Sequence, residues 1–183
     1  MDEKQPWYSE LADNVQEYIR ERHDQLDKTL REAAEDCESP IEQLMAMALT
    51  KAIGNDDSIY YSKQETIKAN GKEYRVDFLL ECYDAIFMAG EPVTDWTVQL
   101  IVECDGWQYH STREQIEHDN ERDLDILISS GIPTVRFTGS EIVKSPAACA
   151  TSAIRAIKRL NEDARFEREL TIKHAMSIGS DGR

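Results

Sequence analysis

Tyr74-Arg75-Val76-Asp77-Phe78-Leu79-Leu80 and Leu100-Ile101-Val102-Glu103-Cys104-Asp105-Gly106 decide the fold. Each is an apolar run of strand length that carries an acid where strands disfavour one: Asp77 interrupts the first, and Glu103 ends the apolar part of the second. Two carboxylates at the ends of adjacent strands, flanked by apolar residues, are costly unless something positive joins them. A Mg²⁺ ion meets that need, because it takes hard oxygen ligands in an octahedral shell and keeps several waters. An arginine such as Arg75 or Arg122 meets it too, and spacing alone leaves both alternatives open.

Working outward, residues 58–68 read with period two, and Asn70-Gly71 is a strong two-residue hairpin signal into a return strand from Glu73 to Glu81. A loop containing Gly90-Glu91-Pro92 follows, then a third strand from about Trp96 to Cys104. Val98, Leu100, Ile101 and Val102 make it the most apolar strand, so it is placed centrally. Residues 112–130 read as a helix with Ile116, Leu124, Leu127 and Ile128 facing inward, ended by Gly131; Ile132 to Phe137 is a short strand.

Upstream, Ser39-Pro40-Ile41-Glu42 has the cap, first-turn proline and capping-box acid of a helix start, and the apolar run to Ile53 ends at Gly54. Before it, Trp7, Leu11, Val15, Tyr18, Ile19, Leu26 and Leu30 lay one apolar stripe along a helix. The chain closes with a helix from about Ser145 to His174 and a frayed tail, Ser177 to Arg183. The predicted architecture is α/β: helix, three-strand meander, crossover helix and fourth strand, with N- and C-terminal helical extensions. The divisions are an N-terminal extension 1–36, a core with its closing helix 37–176, and the tail 177–183.

The chain has 183 residues with 36 Asp+Glu against 21 Lys+Arg, a formal charge of −15. That balance works against any nucleic-acid role not helped by bound cations, a local basic face or a partner. A chain this long buries roughly 70% of its unfolded surface and needs no disulfide or structural metal to fold. Cys37, Cys82, Cys104 and Cys149 are widely spaced, which predicts reduced thiols and a cytoplasmic location. The acidic start MDEKQPWYSE does not read as a signal peptide, and no apolar stretch reaches membrane-spanning length.

Further polar residues gather around the two acids. Asp105 follows Glu103 at alternation and points to the same side if the strand continues, although Asp105-Gly106 is also a plain turn signal. His110 is either a hydrogen-bonded surface residue or, as a neutral imidazole, a group able to orient or deprotonate water. Asp119 and Arg122 are three apart on the crossover helix and within reach of each other. Glu42 serves the capping box or approaches the site with Glu38; Ser140 is a cap candidate beyond Arg136-Phe137. The Arg/Lys cluster of the last helix offers contacts to a phosphate backbone or simply a solvated face.

In this order, Glu38-Ser39-Pro40-Ile41-Glu42, Tyr74-Arg75-Val76-Asp77-Phe78, Val102-Glu103-Cys104-Asp105-Gly106 with His110, Asp119 with Arg122, and Val135-Arg136-Phe137-Thr138-Gly139-Ser140-Glu141-Ile142 resemble the restriction-endonuclease-like PD-(D/E)XK nuclease superfamily. The closest likeness is to the small bacterial and phage branch akin to very-short-patch-repair endonucleases. The resemblance implies a restriction-endonuclease-like core and metal-dependent hydrolysis of phosphodiester bonds in DNA, with RNA left open. It implies Asp77 and Glu103 as metal ligands, with the Cys104 carbonyl and Asp105 beside them, Mg²⁺ as the cofactor and Mn²⁺ as its substitute. It makes Glu42 the acid of the first core helix. The superfamily's lysine, two residues after the second acid, is replaced by Asp105, which leaves His110 and Arg122 to take over its work. The apolar stripe of the N-terminal helix packs on the core or pairs with a second copy to make a homodimer, two alternatives the sequence leaves open, and no membrane association is expected. The competing readings are a nuclease-fold binding or regulatory protein, and an acidic DNA mimic.

Overall fold

A computed structural model describes residues 13–106 and 113–180, and the side chains of all of these except 14, 113–116 and 178–180. In chain order the elements are α1 (Asp13–Ala34), α2 (Pro40–Ile53), β1 (Ile59–Ala69), β2 (Lys72–Met88), β3 (Glu91–Asp105), α3 (Arg113–Ser130), β4 (Thr134–Thr138), α4 (Gly139–Lys144) and α5 (Pro146–Ser180). The strands form one mixed sheet in the order β1-β2-β3-β4, antiparallel except for the parallel β3–β4 pair, so β2 and β3 are both interior.

Both hairpins close through two residues with positive φ, as right-twisted strands require: Asn70 and Gly71 at 51° and 75°, Ala89 and Gly90 at 53° and 89°. The second closure corrects the expected loop around Gly90. β2 and β3 stay paired through Asp84↔Trp96 to Met88↔Glu91, and the register shifts between Ile86 and Phe87, beside Pro92, which has no N–H to give a ladder.

Alternation along β3 builds two cores. Leu100 and Val102, with Phe78, Leu80 and Cys82 of β2, pack against Met45, Ala46 and Leu49 of α2 and Ala150, Ala153 and Ile157 of α5. Ile101 and Leu79 face the other way, against Ile126 of α3 and Ile132. The sheet is thus covered by helices on both faces.

The start of α2 is as the sequence predicts: Ser39 caps it by accepting from the Glu42 N–H, Pro40 opens it, and Gly54 ends it at φ 57°. Two expectations fail. Among the described side chains of α3 the fully buried one is Ile126, whereas Leu124, Leu127 and Ile128 are exposed, Ile128 by 75%; the side chain of Ile116 lies outside the described residues. Asp119, Arg122, Asp123 and Ile126 recur at helical spacing, so the inward stripe of α3 is mostly charged and the sheet takes it through ion pairs. The turn after β4 is capped by Thr138, not Ser140, in a capping box with Glu141.

Helix α5 continues to Ser180, past the expected end near His174 and into the segment read as a tail. Its polar residues grip the extended hairpin: Trp96 Nε1 donates to Asn161 at 2.7 Å, Arg165 meets Asp84 at 2.8 Å, and the Arg168 guanidinium lies 4.7 Å over the Trp96 ring. Lys158 pairs with Asp56 and Arg159 with Asp163, so most of this basic cluster is engaged within the chain. Helix α1 packs through its C-terminal end, where Ala33 is buried; Val15, Tyr18 and Leu26 of its stripe are exposed, and Trp7 and Leu11 lie outside the described residues. Among the described residues no helix is long and apolar enough to cross a membrane.

Candidate active site

The register of the central hairpin brings the two acids together. Phe78 pairs with Val102, which sets Asp77 across from Glu103 one step further on. Asp77 lies inside β2 rather than at its end, and the backbone N–H of Cys104 donates to its Oδ2 at 2.8 Å. Glu103 is 6% exposed, and Arg122 Nη2 of α3 lies 2.5 Å from its Oε1. Of the two arginines expected to neutralise these acids, Arg122 takes Glu103, while Arg75 pairs with Glu38.

A second guanidinium closes the side toward β4. Arg136 is Glu103's neighbour in the parallel ladder. Its donors reach Asp123 of α3 at 3.0 and 2.9 Å and Asp105 at 3.2 Å. The expected contact between Asp119 and Arg122 is replaced by Arg122 with Glu103 and Asp123, and Asp119 lines the cleft instead. The cleft, about 520 Å³, is bordered by Asp77, Glu103, Asp105, Asp119, Arg122 and Arg136.

Burial governs the charges here. It pushes the Asp77 carboxyl above its ordinary value, against the pull of the Cys104 N–H, while Glu42 and Asp105 add repulsion and Arg122 attraction. Burial likewise pushes Glu103 up to about 7; Arg122 opposes the shift and Asp77 reinforces it. The Cys104 thiol is driven far upward by burial and by the acids around it, which favours the protonated thiol. Arg136 loses solvation, but its bonds to Asp123 and the fields of Asp105 and Glu103 more than restore its charge.

Glu42 makes no capping box, because its carboxylate takes the Ser39 hydroxyl and the Glu38 N–H rather than the Ser39 N–H. It is buried (6% exposed), its Oε1 accepts from Ser39 Oγ at 2.5 Å, and its Oε2 accepts from the Glu38 N–H at 2.9 Å and from Gln64 Nε2 at 2.8 Å. Its charge is also felt at Asp77 and Cys104. The structure therefore brings together Asp77, Glu103, Cys104, Asp105 and Arg122, with Glu42 behind them; His110 lies outside the described residues.

Two residues of this neighbourhood were missed from the sequence. Asp123 stood next to Arg122, one helical turn after Asp119, and that spacing was a usable signal. Gln64 carried none, because nothing in residues 59–69 marks it off from its neighbours.

Among the described residues no three His, Cys, Asp or Glu side chains converge as a metal cage. Asp77 and Glu103 line one cleft and carry the hard oxygens that Mg²⁺ takes, while Arg122 occupies one oxygen of Glu103 and Arg136 draws off Asp105. No family model, curated protein or solved structure matches this chain.

Proposed function

We propose that this chain is a metal-dependent endonuclease with a restriction-endonuclease-like core, hydrolysing phosphodiester bonds in DNA at the Asp77–Glu103 cleft. One observation carries the reading. Two desolvated carboxylates, Asp77 and Glu103, stand opposite each other across β2 and β3 and line one open cleft, where Arg122 reduces but does not cancel the cost of burying them. The resemblance of the ordered motifs from Glu38 to Ile142 supplies the reaction class.

In this reading Asp77, Glu103 and the Cys104 carbonyl would hold Mg²⁺ or Mn²⁺. A cation bound there supplies Lewis acidity and lowers the pKa of a water. The residues of the chain do the rest. Asp77 is oriented by the Cys104 N–H, so the strand that bears one acid also fixes the other. Arg122 and Arg136 offset an acidic lining that would otherwise repel a phosphate, taking the place of the lysine absent at Asp105. Glu42 acts from behind, and His110 is assigned to orienting the attacking water.

The test is cleavage of supercoiled plasmid by purified protein in Mg²⁺ or Mn²⁺. Nicked product is expected, lost at least 100-fold in Asp77→Ala and Glu103→Ala and kept in Glu91→Gln on the distant hairpin turn. Supercoiled, linear and single-stranded DNA all left intact would reject the proposal. The binding-module reading draws support from Arg122 and Arg136, which already neutralise Glu103 and Asp105, and that result would favour it.

A further inference from the structure

Four described residues other than glycine have positive φ. Asp36 follows the end of α1, and Asn70 and Ala89 occupy hairpin turns; Gln64, at 55°, lies inside a strand. An L residue adopts that conformation at a cost and keeps it where its surroundings impose it.

The register shows what the conformation accomplishes. Lys63 pairs with Phe78 and Glu65 with Val76, so Gln64 stands opposite Asp77. Regular alternation would send Lys63 and Gln64 to opposite faces. Both reach the helix side instead: Lys63 Nζ donates to the carbonyls of Ala33, in α1, and Glu35, just past its end, at 3.1 and 2.5 Å, and Gln64 Nε2 donates to Glu42 Oε2. The strands turn over at the same place. Ile59, Tyr61, Phe78 and Leu80 belong to the core under α2 and α5, whereas Ile67, Ala69, Tyr74 and Val76 belong to the core with Ile126.

We infer that Gln64 is a positioning residue of the site: its amide pins the Glu42 carboxylate behind Asp77, and the strand keeps a side chain at a left-handed position for the sake of that bond. The inference rests on the hydrolytic reading of the Asp77–Glu103 cleft. A residue present for backbone reasons alone would be served better by glycine, which takes positive φ without strain.

That contrast supplies the experiment. Gln64→Gly removes the amide and relieves the backbone. Its melting temperature is expected to equal or exceed that of the wild type, while plasmid nicking falls at least 10-fold. In its crystal structure the Glu42 carboxylate is expected to leave its wild-type position. Glu42→Gln is expected to lower nicking similarly, and the double variant to be no worse than either single one, because the two act as a unit. Wild-type nicking in Gln64→Gly, multiplicative losses in the double variant, or an unmoved Glu42 carboxylate would each overturn the inference. If the wild type nicks no DNA, the hydrolytic reading falls by itself; the position of Glu42 in the Gln64→Gly crystal still decides whether Gln64 pins it.

Discussion

Arg122 Nη2 lies 2.5 Å from Glu103 Oε1, yet the pairing leaves the acid with its pKa raised to about 7. Burial outweighs the guanidinium, and Asp77 adds to it. Between the ordinary value of 4.5 and about 7 the folded protein therefore holds a proton that the unfolded chain has released. Stability from this group is full below pH 4.5 and is lost as pH rises through 7, on the order of 3 kcal/mol. Urea unfolding at pH 5 and pH 8 checks this: the wild type should be less stable at pH 8, Glu103→Gln should flatten the difference, and Mg²⁺ at pH 8 should restore part of it.

Ile126 is fully buried and anchors the helix that carries Arg122 and Asp123 to the sheet. Ile126→Ala should cost about 2–4 kcal/mol of stability through lost burial and the cavity left behind. It should also weaken nicking, because the guanidinium no longer sits square to Glu103. Unfolding curves and plasmid assays on the same preparation measure both effects.

Leu124, Leu127 and Ile128 are the residues that a helical-period reading sends inward and the structure turns outward. Ile128→Glu should accordingly change stability by no more than about 0.5 kcal/mol. A loss of several kcal/mol in thermal unfolding would show that this face is covered after all.

At the far end of the sheet, Asp56 is lowered to about 2 by the Lys158 ammonium, assisted by Ser58. For an acid with a depressed pKa the contribution is present above the ordinary 3.8 and fades as pH falls toward 2. Acid titration of the unfolding midpoint should show a shallower decline in Asp56→Asn than in the wild type over that window.

The strands, the Asn70-Gly71 turn and the Ser39 cap were legible because each is written in neighbouring residues. The face of α3 was not. Hydrophobicity ranked Leu124, Leu127 and Ile128 as core, whereas the helix is seated by ion pairs whose partners, Glu103 and Arg136, are far away in sequence. The inversion at Gln64 and Asp77 was hidden for a different reason. Ile59, Tyr61, Ile67 and Ala69 are all odd-numbered, and Tyr74, Val76, Phe78 and Leu80 all even, so simple alternation puts each set on one face. The β1 set divides between two cores at the left-handed Gln64, and the β2 set divides at Asp77 opposite it. The acids of the site were visible as anomalies in apolar strands, and Arg122 as a candidate partner for them; that Arg136 sits on Asp105 was not, because the parallel pairing of β3 with β4 brings it there.

The central claim is that the Asp77 and Glu103 carboxylates together hold a divalent cation, and crystals soaked in Mn²⁺ test it directly through anomalous scattering. The account predicts a peak between the two carboxylates, close to the Cys104 carbonyl, that vanishes in Glu103→Ala. A cleft without such a peak, with Arg122 still seated on Glu103, would contradict it.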